Sequence, residues 1–259
     1  MDLTKKRTIA LMLSALFLLS AFSFAAYAKS VPCYSWYTVP TKDGKQPTSF
    51  EAQDILCKHK VIYMGSPDEK VVYLTFDAGY ENGNVEKIVD TLDRHGVKGA
   101  FFVLPHFIRQ NSELVNRMAE SGHLICNHST THGDMSKISD IEAFKKELAG
   151  VEDVYREATG KELSKYFRPP EGKFSEQTLE FAEELGYTTV FWSLAYADWD
   201  NNNQMSPEKA KALVLSRVHN GCVLLLHPTS ATNAAILEDL ITELSKEGYR
   251  FGTPDEFCA

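Results

Sequence analysis

Cysteine is sparse in this sequence. Five occur in 259 residues (Cys33, Cys57, Cys126, Cys222 and Cys258), none in a C-x-x-C pair. That excludes the usual short-spaced metal and thioredoxin-type redox motifs. Cys126 and Cys222 lie in apolar runs and read as buried thiols. A Cys33–Cys57 disulfide stays open, and no lipobox precedes Cys33. No G-x-G-x-x-G follows the first strand candidate, which removes the usual support for dinucleotide binding. No G-x-S-x-G elbow occurs, so serine-nucleophile hydrolysis lacks its marker. Short repeats and low-complexity tracts are absent. Positive charge is scarce as well: 27 Lys and Arg stand against 35 Asp and Glu, for a net charge of −8. Residues 1–28 hold Asp2 against Lys5, Lys6 and Arg7, which leaves −10 on the remainder. An acidic body argues against nucleic acid and does not suggest docking on anionic lipid.

Two amino-terminal segments stand apart from the rest. Lys5-Lys6-Arg7 precede an apolar run over 9–27, and Ala26-Tyr27-Ala28 fits a small-x-small cleavage site. Residues 1–28 therefore read as a signal peptide or an uncleaved membrane anchor, and the protein as exported in either case. Residues 29–67 carry scattered prolines and no sustained period, which predicts an irregular extension around the main domain at 68–259. From residue 71 onward strand and helix patterns alternate. Strands are expected over 71–76, 98–104, 123–126, 166–168, 188–193, 222–226 and, weakly, 250–251. Helices are expected over about 84–95, after Asn111, after a Ser139/Glu142 capping box, from Ser175 to Gly186, from Ser206-Pro207 to near Gly221, and over 233–246. Six or seven β-then-α units predict a parallel sheet, either doubly wound or closed as a barrel.

Polar signals follow five of these strands, and the carboxyl ends of parallel strands converge in space. Asp77 ends the buried run Val72-Tyr73-Leu74-Thr75-Phe76. His128-Ser129-Thr130-Thr131-His132 sets two imidazoles four apart, which on one helical turn would face a common ion. Two neutral imidazoles suit Zn²⁺, Co²⁺ or Ni²⁺ better than a hard cation. Arg168-Pro169-Pro170-Glu171-Gly172 must end its strand, since proline donates no ladder bond. Arg168 is then placed to pair with Asp77, and the Glu171 N–H to serve as an oxyanion donor. Asp198-Trp199 and Leu224-Leu225-Leu226-His227 supply a histidine with a carboxylate to orient it, and Trp199 a flat apolar face. Taken singly, each signal has an ordinary structural explanation. Together they equip metal-assisted attack of water on an amide or ester.

In order, T-F-D-A-G at 75–79, H-S-T-T-H at 128–132, R-P-P at 168–170, D-W at 198–199 and L-L-L-H at 224–227 resemble the five motifs of the polysaccharide deacetylases, the NodB-homology carbohydrate esterases. The similarity spans roughly residues 68–257. It implies a single distorted (β/α)7 TIM-like barrel and hydrolytic N-deacetylation of a glycan. It also implies Asp77 as base, His128 and His132 as metal ligands, and His227 as acid. Arg168 would orient Asp77, and Asp198 would tune His227. One position departs from the family. Its first motif usually carries a second aspartate as third ligand, where this chain has Ala78. Asp77 itself, or Glu81, is then the expected substitute, or the ion is held weakly. The departure, F-D-x-G-Y-E-N-G and Tyr34-Ser35-Trp36-Tyr37 resemble the branch that deacetylates N-acetylmuramic acid on the way to the δ-lactam of spore cortex. That branch implies peptidoglycan glycan strands as substrate and an amidase acting first. N-acetylglucosamine deacetylation and a non-catalytic glycan-binding module are the alternatives.

Overall fold

The computed structural model describes residues 32–41, 44–49 and 53–258. The expected signal or anchor at 1–28 lies outside the described residues. Among the described residues no helix is long and apolar enough to cross a membrane.

An amino-terminal arm holds β1 (Tyr34–Ser35), β2 (Thr38–Val39), β3 (Thr48–Ser49), a short helix α1 (Gln53–Leu56) and β4 (Val61–Ile62). The alternating part follows, with β5 (Val71–Ala78), α2 (Val85–His95), β6 (Ala100–Val103), α3 (Pro105–Gln110), α4 (Ser112–Glu120) and β7 (Leu124–Asn127). Next come α5 (Ile141–Thr159), β8 (Tyr166–Phe167), β9 (Lys173–Phe174), α6 (Glu176–Glu184) and β10 (Thr188–Val190). The chain closes with α7 (Pro207–Arg217), β11 (Cys222–Leu226), α8 (Ala231–Lys246) and β12 (Arg250–Gly252).

The main sheet runs β11-β5-β6-β7-β8-β10-β4, with β12 also on β5, and its strand pairings are parallel. Beyond β10 the chain turns back against β11. Leu194 bridges Leu224 in parallel, Ser193 N donates to Val223 O at 2.9 Å and Leu225 N donates to Leu194 O at 2.9 Å. A sheet that curls until its ends touch over a few residues is a distorted barrel, as the resemblance implies.

Side-chain alternation along β5 builds the two layers. Val72, Leu74, Phe76 and Ala78 face outward into the large apolar cluster shared with Ile88, Leu92, Val214, Leu237 and Leu240 of the helices. Val71 and Tyr73 face inward with Ala100, Phe102, Cys126, Val190 and Val223. With a period of two, Thr75 and Asp77 continue the inward row, which puts Asp77 at the barrel's carboxyl mouth.

Several expectations need correcting. The arm is not merely irregular: Val61 and Ile62 extend the main sheet by pairing with Thr189 and Val190. Strand pairing overrides a segment too short to show a period. The helix at 141 is capped by Asp140, whose Oδ2 accepts Ala143 N–H at 2.9 Å, not by Ser139. Helix α8 begins at Ala231, two residues earlier than expected, with Ser230 as its cap. The Cys33–Cys57 disulfide is not formed. Cys33 Sγ approaches Ser136 O at 3.5 Å, and Cys57 is a thiol lying 3.4 Å from Asp54 O. Cys126 and Cys222 are fully buried, as expected, and burial pushes the Cys222 thiol up to about 12.

Candidate active site

All five sequence signals converge on a cleft of about 780 Å³ at the barrel mouth, lined by Asp77, His128, His132, Glu171, Trp199 and His227 among others. Arg168 and Asp198 lie just beneath it, almost wholly buried.

Among the described residues Arg168 is the largest fully buried side chain, and nearly all its donors are used. Nη1 donates to Asp77 Oδ1 at 2.7 Å, Nε to Val190 O at 3.0 Å, and Nη2 to Thr75 Oγ1 at 2.8 Å and Phe191 O at 3.1 Å. Its guanidinium lies over the Phe102 ring, 4.1 Å from the centroid. Such an arginine is a fixed cation. Burial alone would raise the Asp77 pKa, but Arg168, with His128 and His227, outweighs it and holds the carboxyl below its ordinary value. Asp77 is thus an ionised carboxylate whose second oxygen faces the cleft.

His128 presents Nε2 toward that oxygen at 3.6 Å. Its Nδ1 lies 2.8 Å from Arg168 O. A carbonyl only accepts, so Nδ1 carries the hydrogen and Nε2 of the neutral ring is a bare lone pair. Burial lowers its pKa to about 4, so the ring stays neutral near pH 7. Two acceptors facing each other at this distance suit an intervening cation, and the Nδ1 contact is the outer support that ligating histidines commonly have. The His132 ring lies edge-on at 5.0 Å. Asp77 and His128 thus suit a divalent ion between them, whereas His132 does not bring a ring nitrogen within 4.8 Å of both.

H-S-T-T-H is not a helical turn. Ser129 and His132 take left-handed φ values of 70° and 55°, and Glu147 of α5 accepts the Thr130 and Thr131 N–H groups at 3.0 and 2.9 Å. The histidines meet because the loop folds back, not because of helical spacing.

Glu81 does not replace the missing aspartate. Its oxygens accept Gly83 N–H at 2.6 Å and Val85 N–H at 3.0 Å, closing the open end of α2. Glu81→Ala should therefore cost about 1 kcal/mol, a fall in melting temperature of roughly 2–4 °C. Zinc affinity, read by calorimetry, should be unchanged; a loss of affinity would restore Glu81 as a ligand. Ala78 is fully buried within the outer apolar layer.

Opposite Asp77, His227 Nδ1 contacts Asp198 Oδ1 at 2.7 Å, and Asp198 Oδ2 accepts His227 N–H at 2.8 Å and Asn233 Nδ2–H at 2.6 Å. Burial lowers the His227 pKa, but the Asp198 hydrogen bond and charge outweigh it, and the net shift is upward. With Nδ1–H held by a carboxylate, Nε2 is the nitrogen left to give a proton to the cleft. Trp199 is 63% exposed, with its ring 6.3 Å from that of His227. Glu171 holds φ 56° in the turn ending at Gly172, where a Cβ would come within 2.9 Å of both Trp36 and Trp192. That crowding is why only glycine fits there.

Sequence reasoning missed Asn233, which is fully buried, bonds Asp198 and His227 O, and accepts the Tyr196 hydroxyl. Nothing local in a helix's first turn signals such a role. Thr75 was findable, since it is polar, two residues before Asp77, and on the same strand face.

A family model described as polysaccharide deacetylase matches residues 64–190. The chain is 42% identical over 217 residues to the peptidoglycan-N-acetylmuramic acid deacetylase PdaA of Bacillus subtilis, covering 84% of this chain and 80% of that protein. It superposes on the solved structure of PdaA, described as a family 4 carbohydrate esterase, with a TM-score of 0.83 and 39% identity, covering 87% of this chain and 97% of that one. It is also 36% identical over 191 residues to the peptidoglycan-N-acetylglucosamine deacetylase PgdA of Listeria monocytogenes, covering 72% of this chain but 38% of that protein. With the ordered motifs gathered at one barrel mouth and these similarities in sequence and fold, the chain belongs to the polysaccharide deacetylase family.

Proposed function

We propose that this protein hydrolyses the N-acetyl group of N-acetylmuramic acid in peptidoglycan, with a divalent ion, zinc first, held by His128 and His132 and supported by Asp77. The observation that carries the reading is the pair of dyads facing one cleft: Asp77 with Arg168, and His227 with Asp198. A module that only bound glycan would need neither an ionised base nor a proton-bearing acid. The muramic acid assignment rests on the greater identity to the protein named for that substrate.

When bound, the ion would polarise the acetyl carbonyl and make water a better nucleophile. Asp77 accepts the proton of the attacking water as its oxygen bonds to the carbonyl carbon. His227 then donates its Nε2 proton to the sugar nitrogen as the C–N bond breaks, releasing acetate and a free amine. Arg168 keeps Asp77 ionised and aimed, and in this reading the N–H of Glu171, a residue lining the cleft, serves the developing oxyanion. Trp199 offers its face to a sugar ring. An adjoining cavity of about 310 Å³ shares Trp199 and Trp192 and is walled by Trp36 and Tyr37 of the arm, giving room for a neighbouring sugar.

Removing the acetyl group at C2 frees an amine beside the 3-O-lactyl carboxyl, and the two can close a six-membered lactam. The lactyl group must first lose its peptide, so an amidase acts upstream. In this reading the protein works outside the cytoplasm, delivered or anchored by residues 1–28, and at the spore cortex in a sporulating cell.

The test is acetate release from peptide-stripped glycan strands and from chitooligosaccharides, with product masses, before and after chelation and zinc return. Release from muramic acid units, lost on chelation and restored by zinc, is expected. Release from glucosamine units alone would move the substrate to the alternative. Glycan binding without any release would make the protein a binding module.

A further inference from the structure

A second set of ligand-type side chains lies away from the cleft, between the arm and α6. One ring nitrogen of His59 and one carboxylate oxygen each of Glu176 and Glu180 lie within 4.8 Å of one another. Among the described residues it is the one trio so compact, and none of the three lines the cleft.

The imidazole makes this more than a pair of acidic residues one helical turn apart. His59 has only 9% of its side-chain surface exposed. Its Nδ1 meets Glu183 Oε2 at 3.0 Å. A carboxylate only accepts, so Nδ1 carries a hydrogen and is used on Glu183, which leaves Nε2 as the ring nitrogen still to be satisfied. Nε2 is buried and has no hydrogen-bond partner. A buried polar nitrogen without a partner is costly. A cation resolves it. The carboxylate behind Nδ1 is also the support that metal-bound histidines commonly have.

We propose that the His59 imidazole, Glu176 and Glu180 form a second, structural metal site. One nitrogen and two carboxylate oxygens suit Zn²⁺, with water completing four ligands. Lys58 Nζ, 3.9 Å from Glu176 Oε1, is the local competitor, but both groups are well exposed and such a pair is weak. The site's role follows from its position. His59 lies between α1 and β4, two residues before Val61 joins the sheet. Glu176 and Glu180 lie on α6, which runs into β10, the strand that β4 pairs with. An ion here would pin the arm, including the Trp36 segment beside the cleft, to the barrel.

The test is zinc stoichiometry by elemental analysis of the purified protein after loading and desalting, with melting temperature in parallel. Expected are two equivalents for the parent, and one each for Glu176→Gln/Glu180→Gln and for His128→Gln/His132→Gln. In the His128→Gln/His132→Gln background, zinc at a hundredfold excess over its dissociation constant should raise the melting temperature by roughly 5 °C. Adding Glu176→Gln/Glu180→Gln to that background should abolish both the rise and the remaining equivalent. Glu176→Gln/Glu180→Gln alone should still release acetate, so the outcome does not depend on the cleft's chemistry. An unchanged stoichiometry and zinc-dependent melting shift in the Glu176→Gln/Glu180→Gln protein would overturn the site. So would a His128→Gln/His132→Gln protein that retains no zinc.

Discussion

Asp77→Asn should leave a folded protein that releases acetate at least about a thousandfold more slowly, about 4 kcal/mol of lost transition-state stabilisation. Asparagine keeps an oxygen that can accept the Arg168 Nη1–H, and the other three Arg168 contacts, to Val190, Thr75 and Phe191, do not involve position 77. What disappears is the negative charge, and with it the base. The buried ion pair also weakens, at a cost of up to about 3–5 kcal/mol for an unpaired partner, reduced here because asparagine still accepts. The sign of the pH effect follows from the depressed Asp77 pKa. Its stabilisation is present above the unfolded-state carboxylate pKa and is lost as pH falls through the lower folded value. Melting curves of the parent should therefore show an acid-limb contribution that the asparagine variant lacks. Turnover near the parent rate would remove Asp77 from the base role.

His227→Ala should lower turnover by about 10²- to 10⁴-fold, since the amine must leave with a proton. The more informative variant is Asp198→Asn. In the parent, Asp198 raises the His227 pKa against the opposing effect of burial. Activity that needs the protonated ring is present below that pKa and fails as pH rises through it. The stability contributed by the pair follows the same sign: full below the ordinary histidine value and lost as pH rises through the raised one. Without the Asp198 charge the larger raising influence is gone, the weaker pull of Asp77 stands alone against burial, and the pKa falls. The alkaline limb of the pH–rate profile should then move to lower pH. A limb that stays in place while the rate falls would mean that Asp198 only positions the ring, or that His227 is not the acid.

Much of the site was legible because its residues mark the ends of buried strands. An apolar run that stops at Asp77 or His227 fixes the element and the polar group at its tip, and strand alternation fixes the face. The outer cluster and the inward row of β5 follow from that alternation alone. Short segments were not legible in this way. Val61 and Ile62 carry no period of their own, and they are strand only because β10 offers them hydrogen bonds. His128 and His132 share a face through left-handed turns at Ser129 and His132, held by Glu147 from another element, which no spacing rule encodes. Glu81 resembled a spare ligand in the sequence, and its nearest unsatisfied donors, at the start of α2, decided otherwise.

The sequence by itself determined the order of β and α units, the five strand-end motifs and the absence of a ligand atom at position 78, because these depend on side-chain type and local period. The Arg168–Asp77 pair was expected from the motifs, but only the tertiary structure decided the meetings no motif announces: Asn233 beneath Asp198, and His59 against α6. Those contacts join residues tens to more than a hundred positions apart. Their distances are set by closure of the sheet and packing of its helices, and no local stretch of chain contains that information.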